Sequence, residues 1–241
     1  MCYNISAKKT PQDLAKRFKV KVSTNEVITP HYYLNGFNHP EIPVIASAEP
    51  DVIKNYHWGL IPSFCQNILA ANDMKTKTLN AKSETIFALP SFKNSIQEKR
   101  CLILVDGFYE WRTVGKQKYP YYIHLKNNEP FAFGGIYNDW VNKDTGEIIN
   151  AFSIITTPAN PLLAKIHNVK LRMPFILPKE LEKDWLRSDL NEKDIAELMK
   201  PFDDNQMDAH TISKLITNRN ENPDKAEVQH PFEYPELAMF D

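Results

Sequence analysis

Four short stretches carry residue types that could act together: "MCYN" at residues 1–4, "LNAKSET" at 79–85, "DGFYEW" at 106–111 and "IHNVKLRMPFIL" at 166–177. In the first, Cys2 stands directly behind Met1. Loss of Met1, which a small second side chain favours, would leave an α-amine of pKa about 7.7–8.0 next to a thiol of about 8.5, two partly nucleophilic groups on one carbon frame. The alternative is a chance thiol on a loose terminus. Glu110 lies between Tyr109 and Trp111, a setting in which desolvation raises a carboxyl pKa and suits it to general acid–base work. His167 is the natural second acid or base. Asn80 is neutral at every pH, so its role would be to hydrogen-bond and orient a partner. Each also has an ordinary structural reading: a strand-surface carboxylate or half an ion pair for Glu110, a satisfied structural histidine for His167, a turn or helix cap for Asn80.

These residues are scattered along the chain, so a folded scaffold must bring them together. With 241 residues, 42% of them hydrophobic and 24% charged, the chain is long enough for one sizeable core. No apolar run approaches the roughly 18 residues of a membrane span, and no basic-then-apolar leader precedes the first motif, so a soluble, cytoplasmic protein is expected. Three cysteines, Cys2, Cys65 and Cys101, are too few for a disulfide framework and lack the paired spacing of a zinc site, so neither metal nor organic cofactor is expected. A net charge of −1 means that any polyanion would be held by a local basic patch and not by the field of the whole molecule. The segments "VIASAE", "CLILVDGF", "YPYYIHL", "FAFGGIY" and "AFSIITT" have the alternation or short apolar runs of strands. Helices are signalled at "TPQDLAKRFKV", with Pro11 near its start and Leu14 and Phe18 four apart, and at "LPKELEKDWL", with Pro178, Leu181 and Trp185. The pattern predicts an α+β fold, a single domain over residues 1–241 with a mostly antiparallel, barrel-like β-sheet flanked by a few helices. From about residue 217 the tail is polar and Pro-bearing, and is expected to run extended over the surface or to be mobile.

Taken in order, the motifs resemble the SRAP family, the SOS-response-associated peptidases that shield abasic sites in single-stranded DNA. The likeness runs from Cys2 to about Pro178 and takes in "HWGLIP" at 57–62, "LNAKSET", "CLILVDGFYEW", "KYPYYI", "TTPAN" at 156–160, and "IH" followed by "RMPFIL". It implies that Cys2, Asn80, Glu110 and His167 form the active site, and that single-stranded DNA containing abasic sites is the partner, with no membrane and no obligate protein partner. It also implies a place beside the nucleoid when engaged, or in the nucleus of a eukaryote. An abasic site is in equilibrium with an open-chain aldehyde; an amine attacks it to give a Schiff base, and a thiol on the adjacent carbon closes a thiazolidine. Serine would give a less stable oxazolidine, and an internal cysteine has no amine. Lyase activity by β-elimination and cleavage of the Met1 peptide bond by Cys2 are further implied activities. The alternatives are a thiol peptidase acting on itself or other proteins, and a non-covalent single-strand binding module.

For DNA contacts, Lys75, Lys77, Lys82, Lys93, Lys99, Arg100, Arg112 and Arg172 are candidate phosphate ligands, and Trp58 is a candidate base-stacking platform. Three departures from the family pattern bear on this. Tyr3 and Asn4 stand where Gly-Arg is usual, Lys82 replaces an arginine and grips as a point charge, and Val169–Leu171 are inserted between "IHN" and "RMP", where they would shift His167. Weaker DNA affinity than in better-matched relatives is expected.

Overall fold

The computed structural model describes residues 2–218 and 220–239. Alternating and short apolar runs form fourteen strands among them: β1 (Asn4–Ala7), β2 (Lys21–Val22), β3 (His31–Asn35), β4 (Glu41–Ala46), β5 (Val52–Trp58), β6 (Asn80–Lys82), β7 (Arg100–Val105), β8 (Gly107–Val114), β9 (Gln117–Leu125), β10 (Phe131–Val141), β11 (Ile148–Pro158), β12 (Arg172–Pro174), β13 (Ile176–Leu177) and β14 (Met207–Thr211). The helices are α1 (Pro11–Phe18), α2 (Ile68–Lys77), α3 (Lys93–Glu98), α4 (Pro161–Ile166), α5 (Glu182–Trp185) and α6 (Glu192–Leu198). The first helix starts where its sequence says it should: Thr10 accepts the Asp13 N–H as N-cap, Pro11 follows, and Leu14 and Phe18 are its buried residues. "LPKELEKDWL" forms a 3-10 turn, Lys179–Leu181, running into α5, with Trp185 buried.

Strands β4, β5, β11, β10 and β7 close a five-stranded barrel, antiparallel at every pairing but one. The exception is the closing pair, where β5 runs parallel to β11 with His57 opposite Ala151 and Trp58 opposite Phe152. A second sheet, in the order β14-β9-β8-β1-β3, packs beside it. One apolar cluster joins the two, with Cys2, Ile5 and Phe108 from the second sheet and its approach meeting Ile103, Val105 and Phe133 of the barrel. This is the expected α+β architecture with a barrel-like, mostly antiparallel sheet.

The chain passes from barrel to second sheet at Asp106–Gly107. The buried Asp106 carboxylate accepts the Lys8 N–H at 2.6 Å and the Ser6 hydroxyl at 3.3 Å. Gly107 is required there because a Cβ would lie 2.3 Å from the Tyr122 ring. This crossing lays β8 beside β1, so Glu110 and the residues next to Cys2 come from adjacent strands. The C-terminal segment lies against the same sheet: Asp224 accepts the Tyr32 and Tyr33 N–H groups at 2.7 and 3.1 Å, and Val228 is buried. Among the described residues no helix is long and apolar enough to cross a membrane.

Candidate active site

Cys2 lies two residues before the start of β1 and is only 1% exposed. Its carbonyl accepts a hydrogen bond from Asn80 Nδ2 at 2.9 Å. Asn80 is held in turn because β6 adds in parallel to β11, opposite Ile154, and because the Trp58 indole N–H donates to the carbonyl of Leu79 at 2.9 Å. The other amide atom, Asn80 Oδ1, is buried without a hydrogen-bond partner among the described residues. Burial, followed by the nearby Glu110 carboxyl, pushes the Cys2 thiol far above its ordinary pKa. The resting sulfur is a thiol and not a thiolate.

Glu110 lies on β8 opposite Tyr121 and is buried. Its Oε1 has no hydrogen-bond partner among the described residues and stands 3.6 Å from His167 Nδ1. Desolvation raises the carboxyl to a pKa of about 8. His167 caps the C-terminal end of α4, whose start is fixed by Asn160 accepting the Leu163 N–H and by Pro161. Its Nδ1 lies 2.9 Å from the Arg172 carbonyl, which can only accept, so Nδ1 carries the proton and Nε2 keeps its lone pair. Desolvation lowers this imidazole to a pKa of about 4. At neutral pH the pair is therefore an un-ionised acid facing an un-ionised base.

Glu110 and His167 open onto a cleft of about 830 Å³. Tyr3, Asn4, Lys82 and Arg172 line it as well. Lys118 and Lys170 add two cations that their sequence neighbourhoods did not single out. The Val169–Leu171 insertion leaves His167 against Glu110. It forms a turn after the histidine, and the Asn168 side chain clamps it to β8 by accepting the Thr113 N–H at 3.0 Å and donating to the Thr113 carbonyl at 2.8 Å.

A profile of the family described as SOS response associated peptidase (SRAP) matches residues 1–219. The chain belongs to the SRAP family. It is 35% identical over 189 residues to the abasic site processing protein YoqW of Bacillus subtilis, spanning 77% of this chain and 81% of that one. It is 29% identical over 200 residues to the abasic site processing protein HMCES of Xenopus tropicalis, spanning 74% of this chain and 58% of that one. A crystal structure of a protein from Bacteroides thetaiotaomicron matches with a TM-score of 0.89 at 36% identity, over 96% of this chain and 100% of the other.

Two of the DNA contacts expected from the SRAP sequence are corrected by the structure. Trp58 is fully buried at the barrel closure, stacked on Phe152 at 6.2 Å, and presents no face to a base. Its indole acts on the site from beneath, through Leu79. Arg100 is also buried: its guanidinium donates to the carbonyls of Ile96, Gln97, Trp185 and Arg187, which lie at the ends of α3 and α5. Of the remaining cations, Lys77 and Lys99 pair with Asp73 and Asp139. Arg112 lies two positions after Glu110 on β8. Arg172 reaches the cleft in a bidentate pair with Glu84, one arm at 2.9 Å. Met1, whose removal the amine chemistry needs, lies outside the described residues.

Proposed function

We propose that this SRAP protein processes abasic sites by capturing them covalently in single-stranded DNA, with Cys2 as the nucleophile once Met1 is removed. The observation that carries the reading is the buried Glu110–His167 pair, 3.6 Å apart, beside a Cys2 anchored through its carbonyl by Asn80. The relatives named above as abasic site processing proteins supply the substrate class.

His167 Nε2 takes the proton of the sugar's hemiacetal hydroxyl and hands it to the ring oxygen as the C1′–O4′ bond breaks, which opens the ring to the aldehyde and leaves the imidazole neutral. The Cys2 amine, the stronger nucleophile here because the thiol is held protonated, adds to that carbon, and one amine proton moves to the former carbonyl oxygen to give a carbinolamine. Glu110, protonated at neutral pH, gives its proton to the departing hydroxyl, so water leaves and a Schiff base remains. The thiol then adds to the imine carbon. A sulfur–carbon bond forms, the C=N electron pair returns to nitrogen, the thiol proton passes to the Glu110 carboxylate and restores the acid, and the five-membered ring closes with net loss of one water. A neutral His167 also suits removal of the C2′ proton of the Schiff base, which is the route to strand cleavage. Lys82 and Lys118 supply phosphate contacts along the cleft, where the Arg172 guanidinium is already taken up by Glu84. A general thiol peptidase is less well supported, because such an enzyme needs an accessible thiolate and burial holds this one protonated.

The test is a denaturing gel. Purified protein, its N-terminus checked by intact mass, is incubated with single-stranded DNA carrying one abasic site. A denaturation-resistant band is expected that requires the abasic site, Met1 removal and Cys2, and is missing in Cys2→Ala. Processed protein that gives no band overturns the proposal.

A further inference from the structure

The three residues that interrupt the "IH…RMP" motif form a tight turn at the cleft mouth. The N–H groups of Lys170 and Leu171 both donate to the His167 carbonyl, at 3.2 and 2.9 Å, and the Leu171 carbonyl accepts the Ala159 N–H at 3.0 Å. With the Asn168 clamp on Thr113, this ties the turn to α4, to β8 and to the end of β11. Leu171 sits at φ +52°, a left-handed conformation that costs a leucine energy and is held by these bonds. The turn buries neither of its aliphatic side chains: Val169 is 64% and Leu171 53% exposed. Val169 and Lys170 form part of the same wall as Glu110 and His167.

A rigid turn carrying two exposed aliphatic groups and a lysine, set in a cleft whose other cations are Lys82, Lys118 and Arg172, matches the two chemistries of a single strand. Bases offer flat apolar faces on which side chains pack or wedge, and phosphates offer charge. We propose that the Asn168–Leu171 turn is a prong that packs Val169 and Leu171 against the base flanking the abasic site, with Lys170 on the adjoining phosphate. It thereby makes the neighbouring base part of what the protein reads. The inference rests on single-stranded abasic DNA being the substrate, and on the continuity of the turn with that cleft.

Two oligonucleotides separate it from the capture chemistry. Both carry one abasic site; in the first it is flanked by purines, in the second by tetrahydrofuran spacers, which have no base and cannot open to an aldehyde. Adduct formation is timed at DNA concentrations below saturation. Stacking on one base is worth a factor of about five or more, so processed wild-type protein should react at least that much faster with the first. In V169S/L171N the ratio should fall to about one. Asn tolerates the left-handed conformation at 171, so the fold is kept, and a thermal melt checks this. Lys170→Gln should reduce the salt dependence of binding by about one phosphate contact. Adducts that form with an unchanged ratio in V169S/L171N overturn the prong alone. No adduct from processed wild-type protein on either DNA overturns the capture reading and the prong with it.

Discussion

Replacing Glu110 by Gln should stabilise the protein and disable it at once, and the stabilisation should depend on pH in a way fixed by the burial of the carboxyl. In the unfolded chain this group ionises near its ordinary value of 4.5, and in the folded chain near about 8. Between those values the native state holds a proton that the unfolded state has released, so stability falls as pH rises through the window and levels off above 8. The full difference, (8 − 4.5) at ~1.36 kcal/mol per pH unit, is about 5 kcal/mol. A glutamine of the same shape never ionises and escapes the loss. The gap in melting temperature between Glu110→Gln and wild type should therefore widen from pH 5 to pH 9 by the equivalent of about 4 kcal/mol, or about 10 °C for a chain of this size. Differential scanning fluorimetry across that range reads it directly. On abasic DNA the same variant should lose about 10²–10⁴ in capture rate, because the proton donor for water departure is gone. A melting difference that stays flat with pH would show that Glu110 ionises normally, and the assignment of the acid would fall with it.

Three further outcomes follow from the same geometry. The His167 imidazole should stay neutral down to about pH 4 in an NMR titration; because the unfolded chain takes up that proton near 6.5, wild-type stability should fall as pH drops from 6.5 to 4, and His167→Gln should remove that part of the acid sensitivity. Asn80→Ala should leave the buried Cys2 carbonyl unpaired, costing about 1–3 kcal/mol in a denaturant melt and slowing adduct formation by loosening the cysteine. Trp58→Phe removes the bond to the Leu79 carbonyl and should cost a similar ~1–3 kcal/mol, yet leave the affinity for undamaged single strands unchanged, since the ring is buried; a tenfold loss of that affinity would place the ring on DNA after all.

Those elements of this fold whose signals are local were legible in the sequence. "CLILVDGF" reads as strand, which the structure divides at Asp106 into β7 and the start of β8, and Pro11 marks the start of α1. What joins the elements is not local. The parallel pairing of β5 with β11 closes the barrel between residues far apart in sequence, and it is this closure that buries Trp58. By residue type alone a tryptophan beside a DNA-binding motif serves equally well as platform or core. Arg100 misled for a related reason: the charge is visible in the sequence, but the ends of α3 and α5, whose carbonyls take up its guanidinium, meet only in three dimensions. Lys118 and Lys170 escaped notice because nothing in their neighbourhoods distinguishes a lysine facing a cleft from one facing water.

On the proposed reading it is burial that makes Glu110 the acid and His167 the base, the reverse of the roles that the isolated side chains would take near neutrality. In water a glutamate is a carboxylate and a weak base, while a histidine is half ready to donate. In the pocket between the two sheets both charged forms are penalised, so the carboxyl keeps its proton and the imidazole refuses one. Passing the proton from Glu110 to His167 would create two buried charges where there were none, so the pair rests neutral at 3.6 Å without collapsing into a salt bridge. The same penalty acts on the amine that Cys2 would carry after loss of Met1, favouring its uncharged, nucleophilic form. In the proposed mechanism one physical cause, exclusion of water by the packing of the second sheet on the barrel, thus prepares the nucleophile, the acid and the base together. A substitution in that packing should therefore weaken all three, even where it touches none of them.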